Sequence, residues 1–155
     1  MAVDYYHAGM NAYDTRRFEE AYEWFSKGEE DPRCCYALGT LYYNGQGVER
    51  NFKQSTEWYA KAAEAGIVPA QVSAGFAYAN AMGVPEDFEK AAYYLKMAVE
   101  HGEPAAMVTL AEIYAQGHAG GSRKEAAELI RRVLSTTGGE EAYDVYTRYD
   151  LGNVK

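Results

Sequence analysis

An all-helical solenoid is the fold class this sequence predicts, and three observations carry the prediction. The stretch 37–66 is repeated: moved forward by 36 positions, Gly39 falls on Gly75, Tyr42 on Tyr78, Asn44 on Asn80, Gly47 on Gly83, Val48 on Val84, Phe52 on Phe88, Ala62 on Ala98 and Gly66 on Gly102. A second step keeps Tyr78 on Tyr114, Ala91 on Ala127, Ala106 on Ala142 and Gly102 on Gly138, so the period persists while the residues drift. No segment alternates apolar and polar residues as a half-buried strand does, whereas apolar residues recur at three- and four-residue steps. A fixed period of this size marks units that bury their apolar faces only against neighbours, and about three such units suffice for stability. The reading is one domain of four helix pairs, 4–32, 33–68, 69–103 and 104–138, closed by a capping helix over 140–150.

The first pair opens at Asp4, which suits a helix N-cap, and Tyr5, Ala8, Gly9 and Ala12 share one helical face. A turn at 15–17 leads into a helix with Phe18, Ala21, Tyr22 and Phe25 at helical spacing. From Gly9 to Ala21 is 12 residues, whereas Gly39 to Ser55 and Gly75 to Ala91 are 16. The longer units therefore carry about four extra residues in the turn between their helices.

Asp31-Pro32 separates the first pair from the second, because proline suits a first helical turn and breaks an interior. A helix over 33–44 is followed by Gly45-Gln46-Gly47, and Asn51 with Gln54 three residues on begins the next, over 52–65. Gly66 stops it. The third pair repeats the plan over 69–80 and 87–101. The fourth has 104–116, the segment Gly117-His118-Ala119-Gly120-Gly121, and a capping box in Ser122 and Glu125 that starts a helix to about 135. At a constant 36-residue step Lys124 stands where Phe52 and Phe88 do, and Ile130 where Trp58 and Tyr94 do, so this unit is expected to be held less tightly. Ala142, Val145, Tyr146 and Tyr149 form one apolar stripe, which reads as a cap over the last pair.

The run of Leu38-Gly39, Tyr42, Gly45-x-Gly47-Val48, Phe52 and a tyrosine- and alanine-rich helix closing on Glu64-Ala65-Gly66, with its echo through Glu100-His101-Gly102, resembles Sel1-like repeats, relatives of the tetratricopeptide repeat. The likeness is specific over 35–102 and weaker over 104–138, and the short first unit is more tetratricopeptide-like. The resemblance implies a right-handed superhelix of antiparallel helix pairs that serves as a protein-binding scaffold; it implies no reaction.

Composition narrows the function classes. The net charge is −8 from 15 basic and 23 acidic residues, and no Lys/Arg run exceeds two, which disfavours nucleic acid as a partner because neutralising phosphates needs a basic surface. The acidity either keeps a tyrosine-rich surface soluble or faces a basic partner. The start, MAVDYYHAGM, has neither a basic nor an apolar signal region, and no stretch approaches the roughly 18 apolar residues of a membrane span. Expectation is a cytoplasmic, monomeric protein without a membrane contact. Fifteen tyrosines against five phenylalanines point to rings that keep a polar tip near water. Cys34 and Cys35 are adjacent, with Cα atoms about 3.8 Å apart, too close for an ordinary disulfide. Free thiols are expected; some exported Sel1-like proteins carry a disulfide in each repeat, so the lack of such pairs favours a reducing compartment.

No catalytic constellation is legible. His7, His101 and His118 fall in three units, which a quasi-one-dimensional stack keeps apart. His101, before a closing glycine, suits the end of a helix, and His118 reads as a solvated turn residue. The Gly45/Gly47 pair follows no strand and precedes no Lys-Ser/Thr, so it is not a phosphate loop. Some Sel1-like proteins are linked to β-lactams, but the Ser-x-x-Lys set that such chemistry needs is missing. The expectation is a non-enzyme with no cofactor and no metal. Trp24, Trp58, Tyr94, Ala62 and Ala98 are expected in the core.

The tetratricopeptide resemblance further implies that the first helix of each pair lines the concave face. Matched on Leu38-Gly39-x-x-Tyr42, the positions facing it are Tyr36, Thr40, Tyr43 and Asn44; then Val72, Phe76, Ala79 and Asn80; then Val108, Glu112, Ala115 and Gln116. In the first pair they are Tyr6, Met10, Tyr13 and Asp14. The recurring amides Asn44, Asn80 and Gln116 can pair with a bound peptide backbone or merely cap the first helices. The cationic carboxylate clamp of chaperone-binding relatives is absent, since Tyr36 and Val72 occupy its positions. The partner class is thus a protein segment, peptide or helix, bound by an adaptor; the alternative is an inhibitor or immunity-type protein that occludes a partner enzyme or toxin.

Overall fold

The computed structural model describes residues 2–155. Nine α-helices follow in chain order among them: α1 (Tyr5–Asp14), α2 (Phe18–Lys27), α3 (Pro32–Asn44), α4 (Phe52–Glu64), α5 (Val68–Ala79), α6 (Phe88–Glu100), α7 (Pro104–Ala115), α8 (Arg123–Thr136) and α9 (Glu140–Arg148), with a 3₁₀ turn at Leu151–Asn153. No strand occurs among the described residues. The caps read from the sequence are present: Asp4 accepts from the His7 amide and Asn51 from that of Gln54, while Ser122 and Glu125 form a reciprocal capping box. Asp31 and Asp87 are further N-caps, accepting from the amides of Arg33 and Lys90.

Each helix packs on its partner in the pair, and each pair packs on the next, the stacking of a superhelical solenoid. Close approach within a pair depends on a small residue in the first helix. A side chain on Gly9 would collide with the Phe25 ring, one on Gly39 would come within 2.6 Å of the Tyr59 ring, and one on Gly75 within 2.5 Å of Leu95. Ser55 donates to the Gly39 carbonyl at 2.8 Å, satisfying a polar group inside that contact.

The 16-residue units carry seven or eight residues between helices, against three at Thr15–Arg17. This extra chain is structural. The loop after α5 lies on the start of α4, so close that a Cβ on Gly83 would fall on the backbone of Phe52 and Lys53, and buried Thr56 donates to the Met82 carbonyl at 2.9 Å. The loop after α3 lies on the start of α2 in the same manner, through Gly47 and the Phe18 backbone.

The core runs the length of the stack. Phe25, Leu38 and Leu41 fill its first third; alanines with Tyr59 and Tyr94 fill the middle; Leu95, Ile130 and Leu151 fill the last third. Each such large side chain, taken fully out of water, contributes about 1.5–3 kcal/mol. Tyrosine hydroxyls find partners at the margins, as in Tyr22 with Tyr42 at 3.0 Å and Tyr93 with Glu64 at 3.0 Å.

Three expectations are corrected. Trp24 and Trp58 are half-buried flanking residues with Lys27 and Lys61 over their rings, and Tyr59, one position on from Trp58, occupies the core. The fourth pair is not loosely held: its second helix is one residue early relative to a 36-residue step, since the caps Asp87 and Ser122 differ by 35 positions. That shift puts Ile130 on the place of Leu95, fully buried, and leaves Lys124 in solvent. His118 is exposed in its turn, as expected, and its ring also stacks on Phe88 at 4.1 Å. The cap extends past 150, because Leu151 is completely buried and Arg131 donates to the Val154 carbonyl at 2.7 Å, whereas Tyr146 and Tyr149 are only half-buried.

Candidate functional site

Among the odd-numbered helices α1 touches α3, α5 touches α7 and α7 touches α9. Helices α3, α5, α7 and α9, with α4, present one face to a cavity of about 330 Å³. From α3 and α4 it takes Tyr43, Phe52, Ser55, Thr56 and Tyr59; from α5 and its following loop Val72, Ser73, Phe76, Ala77 and Met82; from α7 Ala105 and Thr109; and from α9 Glu141.

Tyr43 and Phe76 stand out on this face. Tyr43 is 42% exposed and Phe76 49%, which is unusual for large apolar rings on a chain whose other rings are mostly tucked in. The Tyr43 ring rests 5.4 Å from Phe52, so it is propped at one side and open at the other. Three wall hydroxyls are already committed: Ser55 to Gly39, Thr56 to Met82 and Thr109 to its own helix at Ala105. Tyr59, whose hydroxyl lies 3.3 Å from Thr40, has its phenol pushed above the ordinary range by burial.

A second cavity of about 210 Å³ lies further toward the chain start, between α1, α2 and α3. Tyr6, Met10, Tyr13, Tyr36, Ala37 and Thr40 line it together with Phe25 and Arg33. The Arg33 guanidinium sits 4.3 Å over the Tyr6 ring and pairs with Asp31 at 2.6 Å, so its charge is spoken for. That pairing, through the hydrogen bonds from Arg33, holds the Asp31 carboxyl below the usual carboxylate range.

The residues expected on the concave face thus divide. The larger cavity collects Tyr43, Val72 and Phe76, and the smaller one Tyr36 and Thr40. Asn44, Asn80, Val108, Glu112 and Gln116 line neither. Asn80 donates back to Phe76 at 2.9 Å, closing its own helix, and Asn44 reaches Gln46 at 3.3 Å. Glu112 and Gln116 are engaged by the cap: Arg148 pairs with Glu112 at 3.0 Å and Gln116 donates to the Tyr149 hydroxyl at 2.8 Å. Of the thirteen residues that line the larger cavity sequence reasoning named three, and Ser73, Met82, Thr109 and Glu141 are among those it missed. Met82 follows from the extra turn residues once their docking is known; Glu141 carried no signal, because its place depends on curvature.

Among the described residues no group of three or more His, Cys, Asp and Glu is gathered as a metal site, and no helix is long and apolar enough to cross a membrane. Cys34 and Cys35 are unpaired and buried, with Cys35 donating to the Glu29 carbonyl at 3.1 Å.

The Sel1 repeat profile matches residues 1–30, 32–67 and 68–103. The chain belongs to the Sel1 repeat family. No curated protein matches it significantly. Its structure is similar to a Sel1 repeat protein from Oxalobacter formigenes, with a TM-score of 0.79 and 26% identity over 98% of this chain and 62% of that one. It is also similar to a protective antigen of uropathogenic Escherichia coli strains that displays an SLR fold, with a TM-score of 0.70 and 27% identity over 87% of this chain and 34% of that one. The chain thus spans less than two thirds of either. Sel1 repeats generally serve as protein-interaction scaffolds and are generally non-catalytic. In this Sel1 protein the profile stops at residue 103, although α7 and α8 continue the stack.

Proposed function

We propose that this protein is a non-catalytic scaffold that binds a peptide or a helix of a partner protein on the inner face of the superhelix. The observation that carries the proposal is the pair of exposed rings, Tyr43 and Phe76, at an apolar cavity where the hydroxyls of Ser55, Thr56 and Thr109 are occupied by internal bonds. Rings held in place by the fold offer contact area at low entropy cost, as in the centre of a binding interface. The protein acts as a single copy, and its unpaired thiols suit a reducing, cytoplasmic setting.

The test begins with a partner captured from the native cell and its affinity measured against variants. Central aromatic anchors contribute about 2 kcal/mol or more each, so Phe76→Ala and Tyr43→Ala should each weaken binding about thirtyfold. Far-UV circular dichroism of both variants should stay that of the parent. Full binding by the two variants, with loss on charge reversal of the outer acidic helices, would place the interface on the convex side instead.

A further inference from the structure

The larger cavity carries one charged side chain among the described residues that line it, Glu141, and this carboxylate makes no ion pair among them. It comes from the first turn of α9, the helix whose buried Ala142 and Val145 close the stack. The rest of the lining is apolar or internally bonded, apart from the Ser73 and Tyr43 hydroxyls. Phe76, Val72, Ala77 and Met82 make an apolar surface, while the hydroxyls of Ser55, Thr56 and Thr109 are used by backbone carbonyls. At about 330 Å³ the cavity lies near the small end of ligand sites, which run from about 300 to 1,000 Å³. It suits a few side chains of a chain segment.

We infer that the cavity receives an apolar or aromatic side chain of the partner segment with a Lys or Arg beside it, the cation meeting Glu141, so that the capping helix selects the partner as well as closing the stack. The inference rests on the inner face being the binding face. Charge complementarity argues for it: an unpaired carboxylate at the edge of an apolar recess attracts a cation, repels a segment with Asp or Glu in that place, and does so on a chain whose net charge is −8. Glu141 also stands at the N-terminal end of α9, where a negative charge favours the helix. Glu140 shares that benefit and does not line the cavity, so it separates the two roles.

A phage-displayed library of random short peptides, panned at low ionic strength on the wild-type chain and on Glu141→Lys, tests the inference. Peptides recovered on the wild type should pair an apolar residue with Lys or Arg, and those recovered on Glu141→Lys should carry Asp or Glu there. A synthetic wild-type-selected peptide should bind Glu141→Gln about two- to fivefold more weakly, the size of a solvent-exposed ion pair, and the difference should shrink in salt. Glu140→Lys should leave its affinity unchanged. Peptides that lose binding on Phe76→Ala but show the same charge preference on every Glu141 variant would overturn the role of Glu141 and keep the inner face. Peptides indifferent to Phe76→Ala, or no recovered peptide at all, would overturn the inner-face reading and this inference with it.

Discussion

Replacing Gly83 with alanine, next to the same change at Gly102, isolates what the extra turn residues contribute. Both glycines have left-handed backbones, with φ of 70° and 75°. A Cβ in that conformation costs about 1–2 kcal/mol by crowding the following carbonyl. Gly102 has nothing within 4 Å of the added carbon, so Gly102→Ala should cost that strain alone. At Gly83 the carbon would land on the backbone of Phe52 and Lys53, which cannot swing aside as a flexible side chain can. The loop must lift. Lifting breaks the 2.9 Å bond from Thr56 to Met82 and leaves the hydroxyl of this residue, itself only 2% exposed, without a partner, a loss of about 1–3 kcal/mol. The expected total for Gly83→Ala is about 2–5 kcal/mol. Urea unfolding followed by far-UV circular dichroism reads both variants against the parent, and in a chain of this size 1 kcal/mol corresponds to about 2–4 °C in Tm. Equal losses in the two variants, within about 0.5 kcal/mol, would refute the idea that this loop is docked rather than merely turned.

Three further outcomes are expected. Leu151→Ala should cost about 2–5 kcal/mol in urea unfolding, because a fully buried leucine at the chain end holds the cap against α8; an unchanged midpoint would make the segment a tail. Tyr59→Ala should lower Tm more than Trp58→Ala, since Tyr59 fills the contact on Gly39 while Trp58 is half in water, and the reverse order in thermal melts would contradict the packing described above. Burial first, then the nearby Asp31 charge, pushes the Cys34 thiol up to about 11, so the folded chain keeps a proton that the unfolded chain releases near its ordinary value of 9.0. More protons are then bound in the folded state between about pH 9 and 11, so stability is fully present below that window and falls as pH rises through it. Cys34→Ala should flatten part of the decline in urea midpoints over this range; an unaltered slope would count against the buried thiol as its source.

The inner-face positions show where reading by period works and where it stops. Tyr43 and Phe76, read from the repeat as facing one way, line one cavity because both lie in units that keep the 36-residue register and the same glycine contact, Gly39 on Tyr59 and Gly75 on Leu95. Asn80 and Gln116 share that register, yet one bonds its own helix end and the other bonds Tyr149 of the cap. The register of an amide says which way it points; its partner depends on what else the fold brings there. Trp58 fails for a related reason. It aligns with Tyr94, but one helical position is 100° of rotation, and only the packed interface decides whether residue 58 or 59 faces Gly39.

The sequence by itself determined the helices, their caps and the order in which they stack, since these follow from short-range chemistry: Asp, Asn and Ser at N-caps, proline in first turns, and apolar residues returning every three or four positions. Only the tertiary structure decided that Ile130 is the large side chain fully buried from α8, the stacking of His118 on Phe88, and the arrival of Glu141 at a cavity that begins on α3. The last of these depends on the packing of every intervening pair, summed along the stack. No single repeat encodes that sum, so residues about a hundred positions apart meet only once the whole superhelix is built.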